Sequence, residues 1–293
     1  MHAPFSRPPE MRTQMNDVVD FLLLSDLHIS HRNPSEAGLL TDTSATLKEA
    51  VAMILAMDVQ PAFIVFAGDL ANHGEVEAYR HLARLLAPIT LPKVYAIGNH
   101  DTRSAFRSVF RAGDGDPHAP CIHEEIVGGV HVIVLDSSIP GRIGGALEAG
   151  QIAFLVEALS RHPNLPKLVV CHHPPHLDGT EASWHSLDPR STQMLAEAIR
   201  DRNVLAILSG HVHFDSVIHW NGVPVVIGTG LHNAVDVTFR SGLRVVDGAG
   251  FTLCRIRPSG LTASFVPLSR SREQLVIHDI ERLNSIDRQA ASS

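Results

Sequence analysis

Five apolar, strand-like runs of this 293-residue chain stop at short polar segments, and every one of those segments carries Asp, Asn or His. In chain order they are Asp26-Leu27-His28, Gly68-Asp69, Gly98-Asn99-His100-Asp101, His172-His173-Pro174-Pro175 and Gly210-His211-Val212-His213. A fold that sets the C-terminal ends of several strands side by side would collect these side chains at one edge, where open α/β sheets gather their ligands. The five segments therefore constrain architecture and chemistry together.

Between the segments the hydrophobic period alternates. Residues 20–25 read as a buried strand, whereas 43–57 place Leu47, Val51, Ile54 and Leu55 at helical spacing, with Thr41 or Asp42 as N-cap. The same reading predicts strands over 62–67, 93–97, 121–127, 130–135, 167–171 and 204–208, then an all-β stretch over 214–220, 223–228, 251–257 and 261–266. Helices are expected over 75–86, 102–110, 151–160 and 189–200, with Pro189 in a first turn. Gly128-Gly129 and Asn221-Gly222 are two-residue hairpin turns that take positive φ readily. Buried runs separated by helices predict a sheet covered on both faces. One domain is expected over 18–270, preceded by a disordered segment 1–17 and followed by a polar, partly helical tail 271–293.

Composition removes several function classes. A net charge of −7 argues against a nucleic-acid polymer as partner, which needs clustered Lys and Arg, but not against a small anion held beside metal cations. Three widely spaced cysteines give neither a disulfide framework nor a CxxC zinc motif. No apolar run approaches the roughly 18 residues of a membrane span, and the first ten residues lack the apolar core of a secretory signal. A cytoplasmic location is expected, and a homo-oligomer stays open.

The residue types suit metal binding. Asp26 and His28 are two apart, as are His211 and His213, and on extended backbone each pair would share a face. Asp69 offers two oxygens that can bridge two cations, and Gly68 lets the chain turn before it. Asn99 offers a neutral carbonyl, with His100 beside it as an acid. Singly, each segment has an ordinary reading as loop polarity, turn or helix cap. As an ordered set they point to a two-metal hydrolytic site.

That order resembles the calcineurin-like metallophosphoesterase superfamily over about residues 20–213, and most of all its bacterial class III cyclic nucleotide phosphodiesterases and glycerophosphodiesterases. The resemblance implies an α/β fold, a four-layer α/β/β/α sandwich, with the β-rich stretch up to residue 266 in its second sheet. It implies two metal ions (Mn, Fe or Zn by their mixed N and O donors), one held by Asp26, His28 and His213, the other by Asn99, His172 and His211, with Asp69 shared. It further implies hydroxide attack on a small phosphodiester, with His100 as proton donor to the leaving oxygen. Asp101 would orient His100 or cap the next helix, and His173 would either stand behind the ligands or face substrate. Apart from the resemblance, His73, just after Asp69, is a candidate to face substrate, and so is His232 or Asn233, where the other reading is a plain Gly-rich turn. Trp184 and His185 sit in a loop that is either a lid stacking on a base or a solvated loop anchored by the indole. A cAMP-like 3′,5′-cyclic nucleotide is the leading substrate. A phosphomonoesterase or glycerophosphodiesterase of the same fold, or a non-catalytic metal-binding scaffold, are the alternatives.

Overall fold

The structure, a computed structural model, describes residues 18–32, 36, 39–178, 184–239 and 243–268. The expected N-terminal segment 1–17 and the tail 271–293 lie outside the described residues.

Two β-sheets pack face to face. The first has the order β13-β12-β1-β2-β3, from Gly260–Pro267 (β13), Gly250–Arg257 (β12), Val19–Leu24 (β1), Phe63–Ala67 (β2) and Lys93–Ala96 (β3). The second has the order β4-β5-β6-β7-β9-β8, from His123–Val127 (β4), Val130–Leu135 (β5), Lys167–Cys171 (β6), Val204–Ser209 (β7), Val223–Ile227 (β9) and Ser216–Trp220 (β8). Side chains alternate faces along each strand. Phe21 and Leu23 of β1 join Phe63, Val65, Leu168, Val170, Ala206 and Leu208 in the core between the sheets. Leu22 and Leu24 point the other way, onto helices α1 (Thr43–Leu55), α2 (Val76–Leu86) and α3 (Arg103–Phe110). Val169 and Cys171 likewise meet α4 (Ala149–Ser160) and α5 (Pro189–Ile199). Central strands buried on both faces explain the uninterrupted apolar runs, and each fully buried Leu, Val or Phe contributes roughly 1.5–3 kcal/mol. This is the four-layer α/β/β/α arrangement.

Local signals operate as their chemistry dictates. Asp42 caps α1 by accepting from the Ala45 amide at 2.9 Å, and Asp188 caps α5 with Pro189 in its first turn. Gly128 and Gly129, and Asn221 and Gly222, all take positive φ at their hairpin turns. A short pair, β10 (Ala234–Val235) with β11 (Val245–Val246), has no counterpart in the sequence reading.

The β-rich C-terminal stretch divides between the sheets, where the sequence reading put all of it in the second. β8 and β9 do extend the second sheet, but β12 pairs antiparallel with β1 in the first, and β13 pairs with β12. β12 buries residues on both faces, which suits an interior strand, whereas alternate residues of β13 are exposed, as on an edge. Cross-strand Asp20 and Arg255 sit opposite one another and form a two-pronged ion pair at 2.5 and 2.6 Å, matching the β1–β12 register. No described helix is long and apolar enough to cross a membrane.

Candidate metal centre

The parallel strands β1, β2, β3, β6 and β7 all end at the same edge of the sandwich. The first sheet delivers Asp26, His28, Asp69, Asn99 and His100, and the second delivers His172, His173, His211 and His213. The backbone there is not extended. Asp26 (φ 50°), His28 (43°), Asp69 (51°), His211 (75°) and His213 (54°) are all left-handed. Such non-glycine conformations cost on the order of 1–3 kcal/mol each and persist only where the surroundings enforce them. Here a ladder between loops does so, with Asp26 N donating to Gly68 O (3.0 Å), His28 N to Asp69 O (2.9 Å) and Gly210 N to His172 O (3.0 Å). Residues two apart thus share the site through left-handed turns, which corrects the extended-strand argument.

Space sets the glycines. A Cβ on Gly68 would stand 2.5 Å from His172 Nδ1, and one on Gly98 2.2 Å from Asp69 Oδ1. In each case a functional side chain from another strand end lies directly over the glycine.

The side chains converge. Asp69 Oδ2 lies 3.3 Å from His172 Nε2 and 3.7 Å from His28 Nε2, so one carboxylate oxygen stands between imidazoles of the two sheets. Asp26 Oδ1 lies 3.4 Å from His213 Nε2. Asp26, His28 and His213 form one compact group of ligand atoms, Asp26, Asp69 and His172 another, and His172, His173 and His211 a third. Burial opposes ionisation of Asp26, but His213 and His172 outweigh it and hold the carboxyl at about 2. Asp69 is likewise held well below the carboxylate range, burial being overcome by His172 and His28. Burial lowers His172, yet Asp69 outweighs it and lifts the ring to about 9. Burial, reinforced by His172, pushes His211 down to about 4.

Each ring is oriented by a second contact. His172 Nδ1 meets Ala67 O at 2.7 Å, His28 Nδ1 meets Asn72 Oδ1 at 3.3 Å, and His213 Nδ1 meets Asn233 Oδ1 at 3.0 Å. In all three, Nε2 is the nitrogen turned to the centre. His211 is reversed, because its Nε2 bonds Trp184 O at 2.6 Å and leaves Nδ1. These hydrogen bonds fix tautomer and ring direction, as the outer contacts of metal-bound imidazoles do. Asn72 was missed by the sequence reading. It is buried, its side-chain oxygen faces His28, its amide nitrogen contacts Glu36 at 2.5 Å, and its carbonyl accepts from His100 Nδ1 at 2.8 Å. A lone loop Asn has no spacing signature that could have exposed it.

Several expectations change. Asp101 neither orients His100 nor caps α3. Its carboxylate accepts from the Gly98, Leu70 and Ala71 amides and the Tyr79 hydroxyl at 2.8–3.1 Å, tying the β2 and β3 loops together. Burial, then the Asp69 charge, pushes it up to about 6. His173 does not face substrate, since it is fully buried with Nδ1 on Ser137 Oγ (2.7 Å) and Nε2 on Ile143 O (2.8 Å). Both nitrogens being engaged, it is no ligand either, despite its place in the third group. His73 lies at the rim, exposed and 3.1 Å from Glu36 Oε1. His232 is buried with its ring 4.7 Å from that of His28, and Leu40 N donates to its Nε2 at 3.3 Å. His100 is exposed, with its ring edge-on to His28 at 4.5 Å.

The residues fit metal ions. His28 Nε2, His172 Nε2 and Asn99 Oδ1 are buried with no hydrogen-bond partner. An orphaned buried polar atom costs about 1–3 kcal/mol, and all three sit on loops that contact the ionised Asp69 carboxylate. Buried ring nitrogens and an amide oxygen without hydrogen-bond partners, set among carboxylate charges, are what a cation would satisfy.

Comparison with known proteins agrees with this geometry. The family profile described as calcineurin-like phosphoesterase matches residues 19–215. A probable cyclic nucleotide phosphodiesterase of Rhodococcus erythropolis is 31% identical over 251 residues, 84% of this chain and 82% of that one. A cAMP/cGMP dual specificity phosphodiesterase of Mycobacterium tuberculosis is 31% identical over 257 residues, 85% of this chain and 80% of that one. Among solved structures, a dimetal phosphatase from Danio rerio shares the fold, with TM-score 0.58 and 14% identity over 86% of this chain and 99% of that one. Strand ends, converging ligands and a family match over most of the folded region lead to one conclusion: the chain belongs to the calcineurin-like phosphoesterase family.

Proposed function

We propose that this protein hydrolyses small phosphodiesters with the help of two metal ions, and that 3′,5′-cyclic nucleotides of the cAMP type are its leading substrates. The observation that carries the metal reading is Asp69, whose Oδ2 stands between His172 Nε2 and His28 Nε2, while those two buried nitrogens and the buried Asn99 Oδ1 have no hydrogen-bond partner. Asp26, His28 and His213 would hold one ion, and Asn99, His172 and His211 the other, with Asp69 shared. Mn, Fe and Zn all suit this mixed N and O set. When bound, such ions supply Lewis acidity and a nucleophile available at neutral pH.

The chain's own groups do the rest. His100 donates Nδ1–H to the Asn72 carbonyl, so its Nε2 is the atom that exchanges protons. Its imidazolium form can donate from Nε2 to a departing alkoxide and then recover a proton from solvent, to which it is exposed. Asn72 and Asn233 fix the rings of His28 and His213, and Asp101 holds the Gly98 loop that carries Asn99 and His100. The diester preference is supported by the cyclic nucleotide phosphodiesterases that share nearly a third of the sequence over most of its length. The three cysteines are buried free thiols, which suits a reducing, cytoplasmic setting.

The test is a substrate panel. Mn-loaded protein is offered cAMP, cGMP, glycerophosphodiesters, bis-nitrophenyl phosphate and nitrophenyl phosphate side by side. Turnover of diesters well above the monoester, with cyclic nucleotides foremost, is expected. A preference for the nitrophenyl monoester overturns the diesterase reading, and absence of turnover with Mn, Fe or Zn overturns the enzymatic one.

A further inference from the structure

Beside the metal centre lies a hollow of about 650 Å³, walled by Ile139, Arg142 and Ile143 on one loop and by His176, Trp184 and Leu187 on another. Its floor is fixed by backbone pairing, with Gly145 N on Ser186 O (3.1 Å), Asp188 N on Gly145 O (2.9 Å) and Leu187 N on Pro174 O (2.9 Å). Two of its residues also touch the imidazoles of the centre through their carbonyls, Trp184 to His211 at 2.6 Å and Ile143 to His173 at 2.8 Å. The hollow is thus built onto the site, one residue away from a candidate ligand.

Its lining suits a flat, partly polar ring. Ile143 is 59% exposed and Trp184 38% exposed, so each of the two loops lends the hollow a large apolar side chain open to solvent. The His185 ring lies between Trp184 (5.6 Å) and Phe214 (6.2 Å), bracing this segment against the loop before β8. Arg142 is exposed at the rim and its guanidinium makes no hydrogen bond or ion pair among the described residues. An indole face with an aliphatic wall and a free guanidinium is the equipment for holding a nucleobase by stacking.

We propose that this hollow seats the purine base of the nucleotide, stacked on the Trp184 indole, and so determines substrate choice. The proposal rests on the phosphodiesterase reading of the metal centre.

The chain has two tryptophans, Trp184 and the core residue Trp220, so indole fluorescence can be assigned. AMP is titrated into Mn-loaded wild type, Trp220→Phe and Trp184→Phe, with inorganic phosphate as control. Saturable quenching by AMP in wild type and Trp220→Phe, lost in Trp184→Phe and not produced by phosphate, is expected. Quenching that persists in Trp184→Phe, no quenching in wild type, or equal quenching by phosphate overturns the base site. Should Trp220→Phe fail to fold, wild type against Trp184→Phe carries the same comparison. Kinetically, Trp184→Ala should lower kcat/KM for cAMP about tenfold more than for glycerophosphoethanolamine, which has no ring, and mainly through KM. An equal loss for both overturns the proposal. Wild type that does not cleave cAMP refutes the cyclic nucleotide reading instead, and the AMP titration still judges the hollow.

Discussion

The tight space over the site's glycines can be tested by two substitutions that are chemically identical. At Gly98 an alanine methyl would stand 2.2 Å from Asp69 Oδ1, about 0.8 Å inside the 3.0 Å that Cβ atoms respect, and 2.7 Å from both the Asp69 amide and His172 Cδ2. The backbone of Gly98 is not left-handed, so alanine meets no conformational strain and the effect is purely one of space. Asp69 or His172 must then retreat by most of an ångström. Overpacking a site of this kind costs about 1–3 kcal/mol of stability. In a chain of this length that lowers Tm by some 2–12 °C, taking about 2–4 °C per kcal/mol. Function should suffer more, because a displacement of about 1 Å at a reacting centre costs on the order of 100-fold. Gly150, in the first turn of α4, is the control: its Cβ would meet nothing within 4 Å and its φ is also ordinary. Gly150→Ala should keep full turnover and gain up to about 1 kcal/mol from the lost backbone freedom. The assays are metal content per chain after gel filtration, turnover of bis-nitrophenyl phosphate and thermal unfolding. Wild-type metal content and turnover in Gly98→Ala would refute the idea that the ligands are packed onto that glycine.

Three further outcomes follow from contacts around the site and the hairpin. Asn72→Leu keeps the number and branching of the side-chain heavy atoms but removes the acceptor of His28 Nδ1, and should weaken metal binding about 10–100-fold in a chelator competition. His100→Ala should slow cAMP, an alkoxide leaving group, at least about 100-fold while slowing bis-nitrophenyl phosphate far less, since nitrophenolate leaves unprotonated; equal losses would remove His100 from the proton-donor role. His123 is pushed down to about 3 by burial first and Arg111 second, and neither ring nitrogen has a hydrogen bond. Its folded pKa lies below the unfolded value, so its contribution is complete above about pH 6.5 and is lost as pH falls toward 3. His123→Gln should therefore flatten the fall in urea stability between pH 6 and 4, by at most about 1.4 kcal/mol per pH unit.

The candidate site was legible in the sequence because its parts are local. Each motif sits within a few residues of a strand end, and an apolar run of period two or a helix of period 3.6 can be read without knowing its neighbours. The roles of Asp101 and His173 were not legible for the opposite reason. The Leu70 and Ala71 amides that fill the Asp101 carboxylate come from a loop about 30 residues away, and the Ser137 and Ile143 groups that occupy His173 come from 30 or more residues away. Asn72 and Trp184 gained meaning only from what lies against them.

By itself the sequence determined the order of the helices and of every strand but the short β10–β11 pair, the hairpin turns and most of the residues that meet at the centre, since these follow from periodicity, turn chemistry and donor type. Only the tertiary structure decided that β12 closes onto β1 in the first sheet, because a strand buried on both faces declares its burial but not its partner. Only it decided that Asp26, His28, Asp69, His211 and His213 adopt left-handed backbone, because hydrogen bonds between loops distant in sequence hold them there against their own conformational preference.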